Sequence, residues 1–165
     1  MERSTAPAAP PGSRVSVGPE ETHEIGRRIG AASMPGTVLA LTGELGAGKT
    51  QLAKGVAAGL GVKSVVNSPT FVLMNEHVGR LRLYHVDAYR LGDPEEASAA
   101  GLLDERQADG VAVIEWADRL DGWLPIERLE IQLEAPRDAP MHRVLRWNAI
   151  GAAHAKLAAE VLAEP

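Results

Sequence analysis

The sequence has no cysteine, which excludes a disulfide scaffold, a thiolate metal site and a cysteine nucleophile. Aromatic residues make up only 4% of it, and three of the six are tryptophans, at positions 116, 123 and 147. No apolar run approaches the ~18 residues that span a bilayer, so no membrane association is expected. Positive charge is not in excess either: 17 basic against 22 acidic residues leave a net charge of -5. That removes the usual electrostatic case for binding DNA or RNA unaided. What remains is ordinary globular usage, 45% hydrophobic and 24% charged over 165 residues. This is one domain's length, able to bury roughly 70% of its unfolded surface.

Residues 1–13 are rich in Ala and Pro without a continuous apolar stretch. They read as a disordered leader and not a secretion signal, so a cytoplasmic location is expected. A short strand over residues 14–17 leads to a helix opened by Pro19, with Glu20 and Glu21 facing the positive end of its dipole. Thr22, Ile25, Ile29 and Ala32 recur on one stripe, and Pro35-Gly36 stops the pattern. Residues 38–42 read as a buried strand. A glycine-rich turn follows, and then a helix with Leu52, Ala53, Val56, Ala57 and Leu60 on one face, ended by Gly61. Residues 71–76 and 81–86 predict a β-hairpin closed by residues 77–80. Asp93-Pro94-Glu95-Glu96 is a helix start. Residues 111–114 are an apolar run that ends at Glu115. Leu129, Ile131 and Leu133 alternate with Glu130, Gln132 and Glu134, the pattern of a strand solvated on one face. A last strand is expected over residues 143–147, and an alanine-rich helix over residues 152–162. The expected fold is an α/β P-loop domain over residues 14–150: a mixed β-sheet with flanking helices and antiparallel hairpin additions. Residues 151–165 are set apart as a C-terminal helix.

Gly43-Glu44-Leu45-Gly46-Ala47-Gly48-Lys49-Thr50 matches the phosphate-binding P-loop at every fixed position, between a buried strand and an amphipathic helix. Glycines let the backbone bend with its N–H groups inward, and the helix N-terminus adds partial positive charge. Lys49 is suited to bridge the β- and γ-phosphates and the Thr50 hydroxyl to ligate Mg²⁺. The stretch from Glu44 through Leu45, Gly46, Ala47, Gly48, Lys49 and Thr50 to Gln51 is therefore the expected nucleotide-binding set. A P-loop also needs an acid at a neighbouring strand end. Glu115 is the first candidate, with Thr50 the other metal ligand; the plain alternative is a solvated strand end. Asp87 is the second, as a group that orients water or as a cap of the turn before Tyr89. His85 beside Asp87 reads as a hydrogen-bonded structural histidine, since two residues are too few for a metal site. Ser68-Pro69-Thr70-Phe71 places two hydroxyls where a switch segment or a plain Ser-Pro turn both fit. Arg90 and Arg119 suit a nucleotide contact or a surface ion pair, and Trp116 suits a switch or the core. Arg80 and Arg82 read as a solvated strand face.

Together, the P-loop, Ser68-Pro69-Thr70-Phe71, His85-Val86-Asp87-Ala88-Tyr89-Arg90 and Ile114-Glu115-Trp116, in that order, resemble the TsaE family of P-loop ATPases in tRNA threonylcarbamoyladenosine formation. The resemblance implies ATP and Mg²⁺ held by Lys49, Thr50 and Glu115, with Thr70 near the γ-phosphate. It also implies that hydrolysis requires Asp87, and that Trp116 belongs to a second switch. It implies docking on a TsaD–TsaB pair, reset by weak hydrolysis, with tRNA engaged only through that complex. Glu44 stands where Asp is usual and Gln51 where Thr is frequent, both outside the core phosphate contacts. A small-molecule P-loop kinase would need an arginine-rich lid, and residues 93–109 carry only Arg106. A non-hydrolysing nucleotide-dependent scaffold is the other alternative, against which Glu115 and Asp87 stand. No Asn-Lys-x-Asp guanine motif is present, and ATP is favoured over GTP mainly by the resemblance.

Overall fold

In the computed structural model, residues 12–66, 74–89, 108–120 and 122–163 are described. The switch-like stretch with Thr70, the first residues of the expected hairpin, Arg90, the helix start at Asp93 and Arg106 lie outside them, as do residues 1–11 of the leader.

Among the described residues, seven strands form one sheet: β1 (Ser13–Ser16), β2 (Val38–Thr42), β3 (Met74–His77), β4 (Leu83–Asp87), β5 (Val111–Glu115), β6 (Arg128–Glu134) and β7 (Arg143–Ile150). Their spatial order is β1-β7-β6-β2-β5-β4-β3. The four inner strands β6, β2, β5 and β4 run parallel, and antiparallel partners close both edges, β3 beside β4 and β7 with β1 beside β6. The mixed sheet with antiparallel additions is thus as expected. β5 is buried on both faces, which explains its unbroken apolar run.

Helices α1 (Pro19–Ala32), α2 (Lys49–Gly59) and α3 (Ala152–Val161) cover one face. Leu39 and Leu41 of β2 and Val111 and Val113 of β5 point into that layer. Val38, Ala40, Ala112 and Ile114 point the other way, against Ala117 and Leu120 of a 3-10 turn. Leu157, Ala158 and Val161 of α3 join the helix-side core, so the C-terminal helix packs with the rest of the domain. His154 accepts a hydrogen bond from the Val38 N–H at 3.0 Å.

α1 and α2 meet through two glycine pairs four residues apart, Gly26 and Gly30 on one, Gly55 and Gly59 on the other. A Cβ at Gly30 would overlap the Val56 carbonyl oxygen, and one at Gly55 that of His23. Backbone therefore rests on backbone.

The hairpin differs from expectation. Its strands are joined by residues 78–82, a connection that begins one residue and ends two residues later than expected, and β4 continues to Asp87. The cause is Arg80. Its N–H donates to the Leu60 carbonyl, and its guanidinium caps the end of α1 on the carbonyls of Gly30, Ala31 and Ser33. Arg80 and Arg82 therefore precede the strand instead of decorating its face. β7 likewise runs three residues beyond the expected Trp147, because β6 offers partners up to Arg128↔Ile150.

Candidate functional site

β2 ends at Thr42 and the chain turns through Gly43, Gly46 and Gly48, all at positive φ (138°, 81° and 103°), into α2 at Lys49. These conformations strain any residue with a Cβ, and at Gly43 a Cβ would also overlap the Leu133 carbonyl oxygen of β6. Ala47 donates its N–H to Glu44 O at 3.0 Å, which closes the loop on itself. Leu45 stands out at the tip, 83% exposed. The loop thus curls round the α2 N-terminus, whose first N–H groups have no intrahelical partner.

Lys49 is only 5% exposed. Its Nζ donates to Gly43 O at 2.6 Å and Glu44 O at 2.8 Å, and lies 4.0 Å from the centre of the Trp116 ring. Burial lowers its pKa from the ordinary lysine value, and the carboxylates of Glu115, Asp118 and Asp87 oppose that shift. A cation with its donors on the loop's own carbonyls is poised for an anion.

The acids come from neighbouring parallel strands whose carboxyl ends meet beside the loop. The register aligns Leu41 with Glu115 and Glu115 with Asp87. The period-two alternation puts Glu115 on the face of Val111 and Val113, and His85 and Asp87 on the face of Leu83, which is the α2 side. Glu115 is 2% exposed and thus not a solvated strand end. Its Oε1 accepts from the Thr50 hydroxyl at 2.9 Å, and its Oε2 meets His85 Nε2 at 2.5 Å. With the carboxylate oxygen as acceptor, the donor of this contact is the His85 Nε2–H. His85 is fully buried, and its Nδ1 has no partner among the described residues. The reading of His85 as a hydrogen-bonded structural histidine holds, and its partner is Glu115. Among the described residues no group of three metal-ligating side chains exists. Asp87 is half-buried, and its Oδ1 accepts the Tyr89 N–H at 2.9 Å, so it caps the turn while facing the cavity.

Trp116 has φ 59°, the one positive φ outside glycine among the described residues. Its ring lies 4.7 Å from that of Tyr89, over which Arg119 sits at 5.2 Å. Trp116 is thus at the site, Trp147 packs against the core and Trp123 is partly exposed. A cavity of about 480 Å³ is lined by Leu45, Gly46, Gly48, Lys49, Thr50, Gln51, Asp87, Tyr89, Glu115 and Trp116. Glu44 and Ala47 complete the loop behind it. A second cavity of about 530 Å³, bordered by Thr42, Arg128, Gln132, Arg146 and Asn148, shares none of these residues.

Arg143 was not foreseen. It opens β7, and its guanidinium donates to the loop carbonyls of Ala47 at 3.0 Å and Gly46 at 3.1 Å. Nothing near position 143 in sequence signals this; only the pairing of β7 along β6 brings it there.

A family model described as threonylcarbamoyl adenosine biosynthesis protein TsaE matches residues 17–144. Proteins named tRNA threonylcarbamoyladenosine biosynthesis protein TsaE are similar along most of the chain. That of Bacillus subtilis is 42% identical over 88% of this chain and 90% of its own. The Treponema pallidum protein is 40% identical over 75% and 92%, and that of Mycobacterium leprae 39% over 78% and 85%. The crystal structure of Bacillus subtilis YdiB superposes with a TM-score of 0.75 at 36% identity, covering 92% of this chain and 93% of that one. With a matching model over most of its length and relatives this close, the chain belongs to the TsaE family.

Proposed function

We propose that this protein binds ATP with Mg²⁺ in the loop from Gly43 to Thr50, hydrolyses it slowly, and serves the formation of threonylcarbamoyladenosine on tRNA. The observation that carries the reading is the continuous contact from the phosphate loop through Thr50 to Glu115 and on to the buried His85. Hard oxygen donors of this kind, a hydroxyl and a carboxylate beside a glycine cradle, fit Mg²⁺ with a polyphosphate. Thr50 and Glu115 would hold the ion, which when bound neutralises phosphate charge.

The remaining work falls to the chain's own groups. Lys49 exchanges its two carbonyl partners for phosphate oxygens, and its burial strengthens that attraction. His85 keeps its proton on Nε2 and thereby fixes Glu115 Oε2, leaving Oε1 with Thr50 to face the cavity. Asp87, at the neighbouring strand end, orients water and takes its proton as the terminal phosphate leaves to give ADP and phosphate. The net charge of -5 suits a protein that reaches tRNA through others, and a TsaD–TsaB pair is the proposed partner. The proposed location is the cytoplasm; among the described residues no helix is long and apolar enough to cross a membrane.

The test follows γ-labelled ATP with the unaltered chain and with Lys49→Ala, with and without TsaD and TsaB. Expected are free phosphate from the unaltered chain, faster with the pair present, and loss of tight ATP binding in Lys49→Ala. Label passed to a metabolite would establish a kinase, ATP retained intact a scaffold, and unchanged affinity in Lys49→Ala would remove the site assignment.

A further inference from the structure

The glycine loop contains two residues whose positive φ no side chain of their own enforces. Gly46 and Gly48 sit at φ 81° and 103°, and no described atom lies within 4 Å of where a Gly46 Cβ would stand. Ala47 is buried in the core and Gly48 lies against Leu133, Arg143 and Thr22, but nothing packs on Gly46, and glycine backbone loses more freedom on ordering than any other residue. The loop carbonyls of Gly46 and Ala47 are where a further contact can fix the conformation.

Arg143 is placed to do so. Its Nε donates to Ala47 O at 3.0 Å and its Nη2 to Gly46 O at 3.1 Å, so one planar fork holds two successive peptide carbonyls. Its Nη1 is itself fixed on Pro140 O and His142 O, each at 2.7 Å, which ties the fork to the connection between β6 and β7. In a trans peptide the N–H points opposite to the C=O. Turning Ala47 O toward Arg143 therefore turns the Gly48 N–H away from it, and turning Gly46 O does the same for the Ala47 N–H, which reaches Glu44 O.

We propose that Arg143 is a positioning residue that sets the phosphate loop in its anion-binding conformation before any nucleotide arrives. It acts on backbone carbonyls and not on phosphate. Its consequence for ATP rests on the function proposed above; its consequence for the loop does not. Pre-organisation of this kind raises affinity by removing ordering cost. Because the fork matters, and not the charge alone, lysine is no substitute.

The experiment compares the unaltered chain with Arg143→Lys and Arg143→Gln in two measurements: amide hydrogen exchange without nucleotide, and ATP titration by calorimetry. Both variants should exchange faster in peptides covering residues 43–50 while peptides from β2 and β5 stay unchanged. Both should bind ATP about ten-fold or more weakly, the scale set by hydrogen bonds to a charged donor. The rate at saturating ATP should fall by far less than the affinity. Wild-type exchange of the loop in both variants would overturn the proposal. So would wild-type affinity in Arg143→Lys, which would mean charge without the fork suffices, or equal falls in affinity and saturated rate. Failure of the unaltered chain to bind ATP would instead overturn the nucleotide reading, and the exchange data would still decide for or against the clamp.

Discussion

Glu115 has both carboxylate oxygens committed, one to Thr50 and one to His85, inside a wall from which water is nearly excluded. Replacing His85 by Ala would leave a buried oxygen without its donor, while Gln at the same place retains an N–H. Loss of a group that orients a metal ligand usually costs 10–100-fold in metal affinity. We therefore expect His85→Ala to raise the Mg²⁺ concentration giving half-maximal ATP hydrolysis by about ten-fold or more, with His85→Gln in between. A magnesium titration of the ATPase rate checks this, and an unchanged midpoint in His85→Ala would remove His85 from the site. Glu115→Ala should lower Mg²⁺-dependent turnover more than nucleotide binding; equal losses would mean it is not the metal-side acid. At this scale the sequence was highly legible. The loop, Lys49, Thr50 and Glu115 announce themselves because backbone bending, charge and strand parity are local properties. Arg143 and the His85–Glu115 contact do not, since each joins residues whose meeting depends on strand order.

Between elements, α1 and α2 lie backbone to backbone along Gly26, Gly30, Gly55 and Gly59. The hydrophobic stripe of α1 gave its buried side through Thr22, Ile25 and Ile29, yet said nothing of this proximity, because glycine carries no hydropathy signal at helical period. Two effects oppose each other in Gly30→Ala. Helix propensity favours Ala by about 1 kcal/mol, whereas overpacking costs roughly 1–3 kcal/mol. The obstacle here is the Val56 carbonyl of a second helix, not a flexible side chain, so overpacking wins. Gly30→Ala should unfold at lower denaturant concentration, and should bind ATP more weakly because α2 carries Lys49 and Thr50 at its start. Denaturant titration with equal or greater stability would refute the close approach. The hairpin boundary was misplaced for a related reason: Arg80 serves the end of α1, an interaction the alternation of residues 80–83 cannot express.

For the molecule as a whole, two buried histidines tie stability to pH. His154 accepts the Val38 N–H through Nε2, and His77 bonds Ser64 through Nδ1 at 2.8 Å. Burial lowers both pKa values from 6.5; His85 adds to the shift at His77, and the Glu127 carboxylate opposes it at His154. The unfolded chain therefore binds more protons than the folded one below about pH 6.5, so stability is full above that pH and declines as pH falls through it. Urea midpoints measured between pH 7.5 and 5.5 should fall with pH. The fall should be shallower in His154→Gln, whose amide oxygen can accept the Val38 N–H without titrating. A midpoint that holds steady or rises toward pH 5.5 would contradict this account.

The amino-acid order alone determined the glycine-rich turn, its flanking strand and helix, and the strand-tip acid, because glycine geometry, hydrophobic period and parity act over a few residues. It also carried the family resemblance that the relatives bear out. The packed molecule decided the rest: which strands lie side by side, hence that Asp87, Glu115 and Thr50 converge, that His85 grips Glu115, and that an arginine 96 residues downstream of Ala47 holds the loop. Those contacts arise from closing long segments onto one another, and no local pattern records the partner that chain closure will bring.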